Sequence, residues 1–333
     1  MEYRYLGKTG LRVSELCLGT QTFGWCTDEA EAFRILDRFA EAGGNFFDSA
    51  DSYNQGQSEA IFGRWLKSRG NRSAWVAGTK VFFPVGEGPN DTGLSRKHLV
   101  DAVETSLGRL QTEYIDLYQL HCWDMSTPLE ETIRTLDDLV RDGKVRYVGV
   151  SNLTPSQLMK GLMLSRMSGW VEFASAQLEY SLLVRSAEWE LLPLCREEGV
   201  GFLPWSPLAG GWLTGKYRRD RPIPSDSRAG RADRREDLPE HRANERAWGI
   251  IETLNQIARD RESTPAHVAL RWVLQQKGVA AAVFGARTLA QLEDNLGAVG
   301  WTLREEEMTA LEEASAVALP YPYDFISRYS RRR

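Results

Sequence analysis

The 333-residue sequence is poor in cysteine and contains no long hydrophobic run. Its cysteines, Cys17, Cys26, Cys122 and Cys195, form no C-x-x-C pair. This excludes a disulfide framework and favours free thiols in a reducing, cytoplasmic compartment. No apolar run approaches the roughly 20 residues that span a bilayer, so we expect no membrane segment. Residues 1–5 also lack the apolar core of a signal peptide.

The chain has no strong excess of either charge. Lys and Arg total 41, and Asp and Glu total 46, which gives a net charge of −5. A mildly acidic chain has no general attraction for nucleic acid or for anionic membranes. The hydrophobic fraction of 42% and the charged fraction of 26% are typical of a folded globular protein, which excludes a disordered, collagen-like or coiled-coil chain.

The sequence does contain a repeated alternation of strand-like and helix-like segments. Eight strand–helix units run from Leu16 to Leu296 without a change of composition. Such alternation favours a parallel sheet, and eight units favour a closed (β/α)8 TIM barrel forming one α/β domain over residues 1–333. Before the first unit, Tyr3–Leu6 and Leu11–Val13 flank a glycine-rich turn, which predicts a β-hairpin plug at the bottom of the barrel.

Other segments carry local signals. Thr127-Pro128-Leu129-Glu130 and Thr154-Pro155-Ser156-Gln157 each predict a capping box with proline at the first helical position. The polar segment 217–242 is too long for a routine connection and predicts a functional lid or a mobile insertion. After the barrel, an appended helix over Leu303–Ala316 precedes an aromatic C-terminal tail.

Polar side chains fall where the predicted barrel strands end. The second strand ends in Asp48, with Tyr53 in the following loop, the third ends in Lys80, and the fourth ends in His121. Active sites of such barrels lie at the C-terminal ends of the strands. We therefore expect these four side chains to converge on one rim.

Short segments at the strand ends form a family pattern. They are Gly19-Thr20, Phe47-Asp48-Ser49-Ala50 with Tyr53, Thr79-Lys80, Tyr114 to His121, Gly149-Val150-Ser151-Asn152, and Gln177. In order and spacing they resemble the aldo-keto reductase superfamily, over nearly the whole chain. The chain looks similar to bacterial reductases of the deoxysugar type and to channel β-subunit relatives. The resemblance implies a (β/α)8 barrel, NADPH-linked carbonyl reduction, and a catalytic tetrad of Asp48, Tyr53, Lys80 and His121.

The tetrad has a direct chemical interpretation. Reducing a carbonyl requires a hydride on carbon and a proton on oxygen. Tyr53 would act as the general acid, and a nearby ammonium from Lys80 would favour its phenolate form. Asp48 would pair with Lys80 and hold it in place. His121 would orient the substrate oxygen or share the proton, so that two donors face the developing alkoxide charge.

Several alternatives remain open. Lys80 could form a Schiff base as in aldolases, although pairing with Asp48 would keep it charged. A metal at His121 and Cys122 is disfavoured, because adjacent strand residues point to opposite faces. Within the family, the chain is a general reductase of aldehydes, ketones or quinones, a dedicated reductase of a nucleotide-linked keto-sugar, or an NADPH-binding regulatory subunit that senses redox state. The oligomeric state is not set by the sequence.

Glycine placement bears on the cofactor. The chain has no G-x-G-x-x-G after its first strand, so a Rossmann site is unsupported. Glycines fall instead in the segment Ser206 to Lys216 after the seventh strand, where barrels commonly bind phosphate. Glycine lets backbone N–H groups approach an anion, and Lys216 adds a positive charge. A flexible hinge is the alternative interpretation of Gly210-Gly211.

The resemblance implies the rest of the NADPH site. It matches Ser151, Asn152 and Gln177 to the contacts of the nicotinamide carboxamide. Tyr180 or Trp205 would supply the aromatic face against the ring, and the resemblance favours Trp205. The implied cofactor-binding residues are Gly19, Thr20, Gln21, Ser151, Asn152, Gln177, Trp205, Ser206, Leu208, Gly210, Gly211, Lys216, Gly285, Arg287, Gln291, Asp294 and Asn295.

Arg287 is the strong cation near the implied adenosine 2′-phosphate, and arginine suits phosphate. Many family members carry a lysine near this point, whereas this chain has Gly285-Ala286-Arg287. NADH is therefore retained as an alternative to NADPH, and no metal is expected.

Aromatic residues in the loops at the strand ends predict a substrate pocket. They are Trp25, Phe82, Phe83, Trp123 and Trp212. Such pocket walls indicate a small-molecule carbonyl substrate.

Overall fold

The computed structural model describes residues 1–225, 227–231 and 242–330. The strands are β1 Tyr3–Tyr5, β2 Arg12–Ser14, β3 Leu16–Gly19, β4 Phe46–Asp48, β5 Val76–Val81, β6 Ile115–Leu120, β7 Val145–Ser151, β8 Phe173–Glu179, β9 Gly201–Trp205 and β10 Ala282–Gly285. The α-helices are α1 Glu29–Glu41, α2 Gln57–Arg69, α3 Arg96–Leu110, α4 Leu129–Arg141, α5 Pro155–Ser168, α6 Leu191–Glu198, α7 Glu245–Asp260, α8 Pro265–Leu274, α9 Leu289–Leu296, α10 Glu305–Ala314 and α11 Tyr323–Tyr329.

Strands β3 to β10 form a closed parallel barrel in chain order. The barrel is sealed where β10 pairs with β3 on one side and with β9 on the other. All six residues of β5 are buried, as expected for a parallel strand that helices cover on its outer face. The (β/α)8 barrel predicted from eight strand–helix units is confirmed.

The helices bury apolar faces against the outside of the barrel. On α3, Leu99, Val103 and Leu110 are fully buried, at spacings of four and seven residues that keep them on one face. Each fully buried side chain of this kind stabilises the fold by about 1.5–3 kcal/mol. The aromatic rings of Phe47 on β4 and Trp65 on α2 lie 5.4 Å apart and join the sheet to the helical layer.

The predicted N-terminal hairpin is present and lies against the bottom of the barrel. Strands β1 and β2 pair antiparallel, with Arg4 opposite Val13. Leu6 and Val13 belong to a buried apolar cluster that also contains Phe46 and Leu203 from barrel strands. The hairpin therefore closes the end of the barrel opposite the C-terminal strand ends.

A buried ion network anchors this plug. Glu15 is fully buried, and its Oε2 lies 3.1 Å from Nη2 of Arg4 and 3.2 Å from Nη2 of Arg271 on α8. Arg4 also donates from Nη1 to the backbone oxygens of Leu274 and Val279. Two guanidinium groups thus compensate one buried carboxylate and tie the first residues of the chain to its last third.

Some predicted boundaries differ from the structure. The capping box at Thr127 is wrong: α4 begins after Pro128 without a side-chain cap, because the Thr127 hydroxyl donates to Asp124 instead. The capping box at Thr154 is confirmed. The predicted aromatic tail contains a further short helix, α11, and the appended helix α10 is shorter than expected. Within the predicted insertion 217–242, residues 226 and 232–241 lie outside the described part.

Across the described ranges, we find no helix that is both long enough and apolar enough to cross a membrane.

Candidate active site

A cavity of about 650 Å³ opens at the C-terminal ends of the barrel strands. This volume lies in the usual range for small-molecule and cofactor sites. Strand register brings the relevant residues to one level: Gly19 pairs with both Gly285 and Asp48, and Ser151 pairs with Gln177. The residues at these strand ends all line the cavity.

Three of the four predicted catalytic residues line the cavity, and the fourth lies beneath its floor. Lys80 is fully buried, and its ammonium forms a salt bridge with Oδ2 of Asp48. The same Nζ donates to the backbone oxygen of Ser49 at 2.9 Å and to Oη of Tyr53 at 3.2 Å. The lysine therefore links the carboxylate on β4 to the tyrosine hydroxyl in the loop after that strand.

Burial alone would lower the pKa of Lys80, but the charge of Asp48 and the hydrogen bonds to Asp48 and Tyr53 outweigh it and raise the pKa to about 12. The lysine therefore remains an ammonium at neutral pH. This argues against a Schiff base, which requires a neutral amine as nucleophile.

His121 completes the group at the cavity floor. Its ring centroid lies 5.6 Å from that of Tyr53 and 4.8 Å from that of Phe83, with an edge-to-face geometry in both pairs. His121 directly follows β6, and its backbone N–H donates to the oxygen of Val81 on β5. The imidazole and the tyrosine hydroxyl therefore lie side by side at the floor.

Two buried amides hold the second oxygen of Asp48. Nε2 of Gln119 donates to Oδ1 at 2.9 Å, and Nε2 of Gln177 donates to the same oxygen at 3.1 Å. Gln177 lines the cavity, whereas Gln119 is fully buried. Asp48 thus divides its two oxygens between a cation and an amide pair.

Asn152 and Trp205 form the wall beside these groups. The indole Nε1 of Trp205 donates to Oδ1 of Asn152 at 3.2 Å, and Nδ2 of Asn152 donates to the backbone oxygen of His121 at 2.8 Å. Both residues line the cavity. Tyr180, the alternative aromatic residue, is fully buried and bonds to Glu188 through its hydroxyl, so Trp205 is the aromatic residue that a ligand can reach.

The other end of the cavity is formed by the loop after β9. Gly210 and Gly211 have φ values of +66° and +94°, a conformation that costs little for glycine alone. A Cβ at Gly211 would lie 2.4 Å from Nζ of Lys216, so the glycine makes room for that ammonium. A lysine ammonium, and a glycine-rich turn whose backbone N–H groups a ligand can approach closely, suit a bound phosphate.

Residues after β10 and on α9 border the same end. Arg287 lines the cavity, and its backbone N–H donates to Oε1 of Gln291. Oδ1 of Asp294 accepts from Thr264 and lies 3.0 Å from Nε2 of His267. Hydrogen bonding to His267, which outweighs the opposing effect of burial, holds the pKa of Asp294 below its ordinary value. The carboxylate is thus engaged by Thr264 and His267.

Most of the predicted site residues come together in this cavity. The predicted cofactor residues that line it are Gly19, Gln21, Ser151, Asn152, Gln177, Trp205, Ser206, Leu208, Gly210, Gly211, Lys216, Gly285, Arg287, Gln291, Asp294 and Asn295. Thr20 does not line it, because its hydroxyl is buried against Ser58. Of the predicted substrate-pocket residues, Trp25 and Phe83 line it, whereas Phe82 and Trp123 pack against the core and Trp212 is fully buried in it.

The cavity also contains residues that the sequence did not predict. They are Thr22, Cys26, Arg228, Arg231, Val283 and Phe284, whereas Pro207 and Thr214 belong to the predicted segment Ser206 to Lys216. Arg228 and Arg231 come from the predicted insertion. Its length predicted a lid or a mobile insertion but did not predict which part of the barrel it contacts. The guanidinium of Arg231 lies 5.7 Å from the ring centroid of Trp25. In the described part of the chain, no group of three or more His, Cys, Asp or Glu could hold a metal ion.

The arrangement can move a proton at one end and hold an anion at the other. A tyrosine hydroxyl bonded to a permanent cation, with an imidazole beside it, can protonate an oxygen at the cavity floor. Amide groups, an indole, a glycine-rich turn with Lys216, and Arg287 line the same cavity. This combination of polar, aromatic and cationic groups fits a dinucleotide such as NADPH.

Comparisons with known proteins agree with this geometry. The family model described as the aldo/keto reductase family matches residues 15–316. An uncharacterized oxidoreductase, YrpG, of Bacillus subtilis is 41% identical, over 94% of this chain and 95% of its own. The probable voltage-gated potassium channel subunit beta of Arabidopsis thaliana is 37% identical, over 90% and 91%.

A third relative is named for a specific reaction. The norsolorinic acid reductase of Aspergillus flavus is 35% identical, over 95% of this chain and 81% of its own. Family model, relatives and barrel together lead to one conclusion: the chain belongs to the aldo/keto reductase family of oxidoreductases.

Proposed function

We propose that this protein uses NADPH to reduce an aldehyde or a ketone of a small molecule to the alcohol. The observation that carries the proposal is the contact between Tyr53 and Lys80, in which the tyrosine hydroxyl borders the cavity and accepts a hydrogen bond from a buried ammonium 3.2 Å away. NADPH, when bound, supplies the hydride that adds to the carbonyl carbon.

The chain's own residues provide the proton and its control. Tyr53 donates its hydroxyl proton to the carbonyl oxygen, and the charge of Lys80 stabilises the phenolate that remains. Asp48 and the Ser49 carbonyl keep the ammonium under the hydroxyl. His121 orients the carbonyl oxygen beside Tyr53, so that the alkoxide charge develops between two donors.

The remaining lining residues would hold the cofactor. Ser151, Asn152 and Gln177 offer hydrogen-bonding groups to the carboxamide, and Trp205 offers its face to the nicotinamide ring. The 206–216 loop with Lys216 would bind the pyrophosphate, and Arg287 the 2′-phosphate. Because Arg287 attracts a phosphate but does not block a ligand that lacks one, NADH remains a second, weaker cofactor in this proposal.

The decisive experiment is Tyr53→Phe. We expect the wild type to consume NADPH with an activated aromatic aldehyde, followed by absorbance, and the variant to lose at least a hundredfold in turnover, since general acid catalysis contributes about 10²–10⁴-fold. Cofactor affinity, followed by quenching of tryptophan fluorescence, should stay within twofold. Tyr118→Phe is the matched control, because it removes a buried hydroxyl from the same barrel outside the cavity.

Other outcomes separate the alternatives. Equal turnover of the wild type and Tyr53→Phe would overturn the assignment of the general acid. Binding of NADPH without turnover of any simple aldehyde would favour a dedicated substrate, such as a nucleotide-linked keto-sugar, or a regulatory role. The second of these has support in the relative named as a channel subunit beta.

A further inference from the structure

Gln119 is a fully buried amide in the middle of the site, two residues before His121 on β6. Its Nε2 donates to Oδ1 of Asp48 at 2.9 Å, and its Oε1 accepts from Nε2 of Gln177 at 3.3 Å. It therefore bonds at one end to the carboxylate that holds Lys80 and at the other end to a residue that lines the cavity.

These bonds fix the orientation of the Gln177 amide. Nε2 of Gln177 points inward, because it donates both to Asp48 and to Gln119. A primary amide has two N–H donors and one oxygen acceptor. With the nitrogen engaged inside the barrel, the oxygen is the atom that Gln177 presents to a ligand in the cavity.

The barrel makes specific room for this arrangement. Gly149 lies opposite Gln119 on β7, and a Cβ at Gly149 would approach Cγ of Gln119 to 2.9 Å and Oγ of Ser175 to 2.4 Å. A side chain at position 149 would thus displace the amide from Asp48. The neighbouring strand leaves the space that the glutamine fills.

A leucine or methionine could fill the same space, so packing alone does not require an amide. An apolar residue would leave Oδ1 of Asp48 with one donor, Nε2 of Gln177, and would leave the second N–H of that amide without an acceptor, so that a single bond to Asp48 would hold its orientation. A buried polar group that loses a hydrogen-bond partner destabilises the fold. Gln119 therefore has a hydrogen-bonding role, toward Asp48 and Gln177, that an apolar residue cannot replace.

We propose that Gln119 is a positioning residue that orients the Gln177 oxygen toward the N–H2 group of the cofactor's carboxamide while it fixes the carboxylate that holds Lys80. The proposal rests on the proposed function, because it assumes that the nicotinamide end of NADPH lies at Gln177. Gln119 touches neither substrate nor cofactor and acts through Gln177 and Asp48.

The test compares two dinucleotides by binding rather than by turnover. The 3-acetylpyridine analogue of NADPH carries a methyl ketone in place of the carboxamide and has no N–H2 group to donate. We expect the wild type to bind NADPH about tenfold more tightly than the analogue, the effect of one hydrogen bond to a fixed acceptor. In Gln119→Met this preference should fall to about twofold or less, with both dissociation constants measured by fluorescence titration.

Two further variants keep the test sharp. Ser175→Ala is the matched control, since Ser175 faces the same barrel interior next to Gln119 but has no hydrogen-bond partner for its hydroxyl among the described residues. It should keep the wild-type preference. If Gln119→Met does not fold, as judged by its thermal transition, Gln119→Leu replaces it.

The outcomes distinguish this inference from the proposed function. An unchanged preference in Gln119→Met, or an equal loss in Ser175→Ala, would overturn the role of Gln119 while NADPH binding by the wild type stands. Failure of the wild type to bind either dinucleotide would instead overturn the proposed function itself.

Discussion

At the scale of single residues, the least expected group is the carboxylate of Asp51. It lies two residues before Tyr53 and is 2% exposed. Arg109 donates to its backbone oxygen and to the carboxylate of Glu59, not to the Asp51 side chain. Burial, and then the nearby charge of Glu59, raise the pKa of Asp51 to about 7.

This carboxylate predicts a pH-dependent loss of stability. Below about pH 4 Asp51 is protonated in both the folded and the unfolded chain. Between that pH and about 7 the unfolded chain releases the proton and the folded protein keeps it, so the free energy of unfolding falls as the pH rises. Asp51→Asn removes this effect, and we expect it to stabilise the protein by roughly 2–3 kcal/mol more at pH 8 than at pH 5.

Urea unfolding at the two pH values measures this difference. The same gain at pH 5 and at pH 8 would mean that Asp51 is ionised in the folded protein throughout the range.

The convergence of Asp48, Tyr53, Lys80 and His121 could be predicted from the sequence, because strand ends in a parallel barrel share one rim. Phe82 and Phe83 show the limit of that reasoning: adjacent residues point in different directions, and only Phe83 reaches the cavity. Gln119 was missed for a related reason. A glutamine inside a strand carries no sequence signal until its partners, Asp48 and Gln177, are known to lie beside it.

At the scale of elements, helices α2 and α3 make a close backbone contact at Gly63. A Cβ at this position would lie 2.1 Å from the backbone oxygen of Arg109, which cannot move without shifting α3. Gly108 on α3 is exposed, and a Cβ added there would meet no described atom within 4 Å. The two helical glycines therefore have opposite roles.

Alanine substitution should change the free energy of unfolding in opposite directions at Gly63 and Gly108. We expect Gly63→Ala to destabilise the protein by about 1–3 kcal/mol or more through overpacking. Gly108→Ala should stabilise it by about 0.5–1 kcal/mol, because alanine restricts the unfolded chain and favours the helix. Chemical denaturation of both variants checks the signs, and a stabilising Gly63→Ala would show that the two helices separate at little cost.

A helix begins at its predicted capping residue when no other group binds the side chain of that residue. Thr154 caps its helix as its sequence position predicts, and Ser95 and Thr288 also cap theirs. Thr127 does not, because Asp124, three residues earlier, takes its hydroxyl. Such competition depends on how a loop folds and cannot be seen in the order of residues alone.

At the scale of the whole molecule, the described lining of the cavity carries more cationic than anionic side chains, although the chain as a whole is acidic. The net charge is −5, yet Lys216, Arg228, Arg231 and Arg287 all line the cavity. The carboxylates that line its described part, Asp48 and Asp294, are both engaged by other groups. Cationic side chains that line a cavity attract an anionic ligand at short range.

Salt should therefore weaken cofactor binding. Raising the ionic strength from about 0.05 to 0.5 M shortens the screening length severalfold, and we expect the dissociation constant of NADPH to rise about tenfold. The rise for NADH should be smaller, because NADH lacks the 2′-phosphate, and Arg287→Ala should bring the two curves together. Parallel curves for NADPH and NADH in the wild type would count against a 2′-phosphate contact at Arg287.

The number of barrel strands, their parallel order and the hairpin plug followed from the alternation of segments along the chain. The position of the insertion did not, since long-range contacts place Arg231 over Trp25 and no local pattern encodes them.

The barrel closes where β3 pairs with β10, two strands that are far apart in the sequence and are therefore synthesised at different times. β3 leaves the ribosome early, but its partner β10 is made more than 260 residues later, and Arg271 reaches Glu15 only shortly before that. We expect ribosome-bound chains to be cut readily by protease until β10 emerges, because an unpaired strand edge and an unfinished plug remain exposed. A growing copy of this protein therefore exposes unpaired strand edges for most of its synthesis, and it closes the barrel only after β10 has emerged.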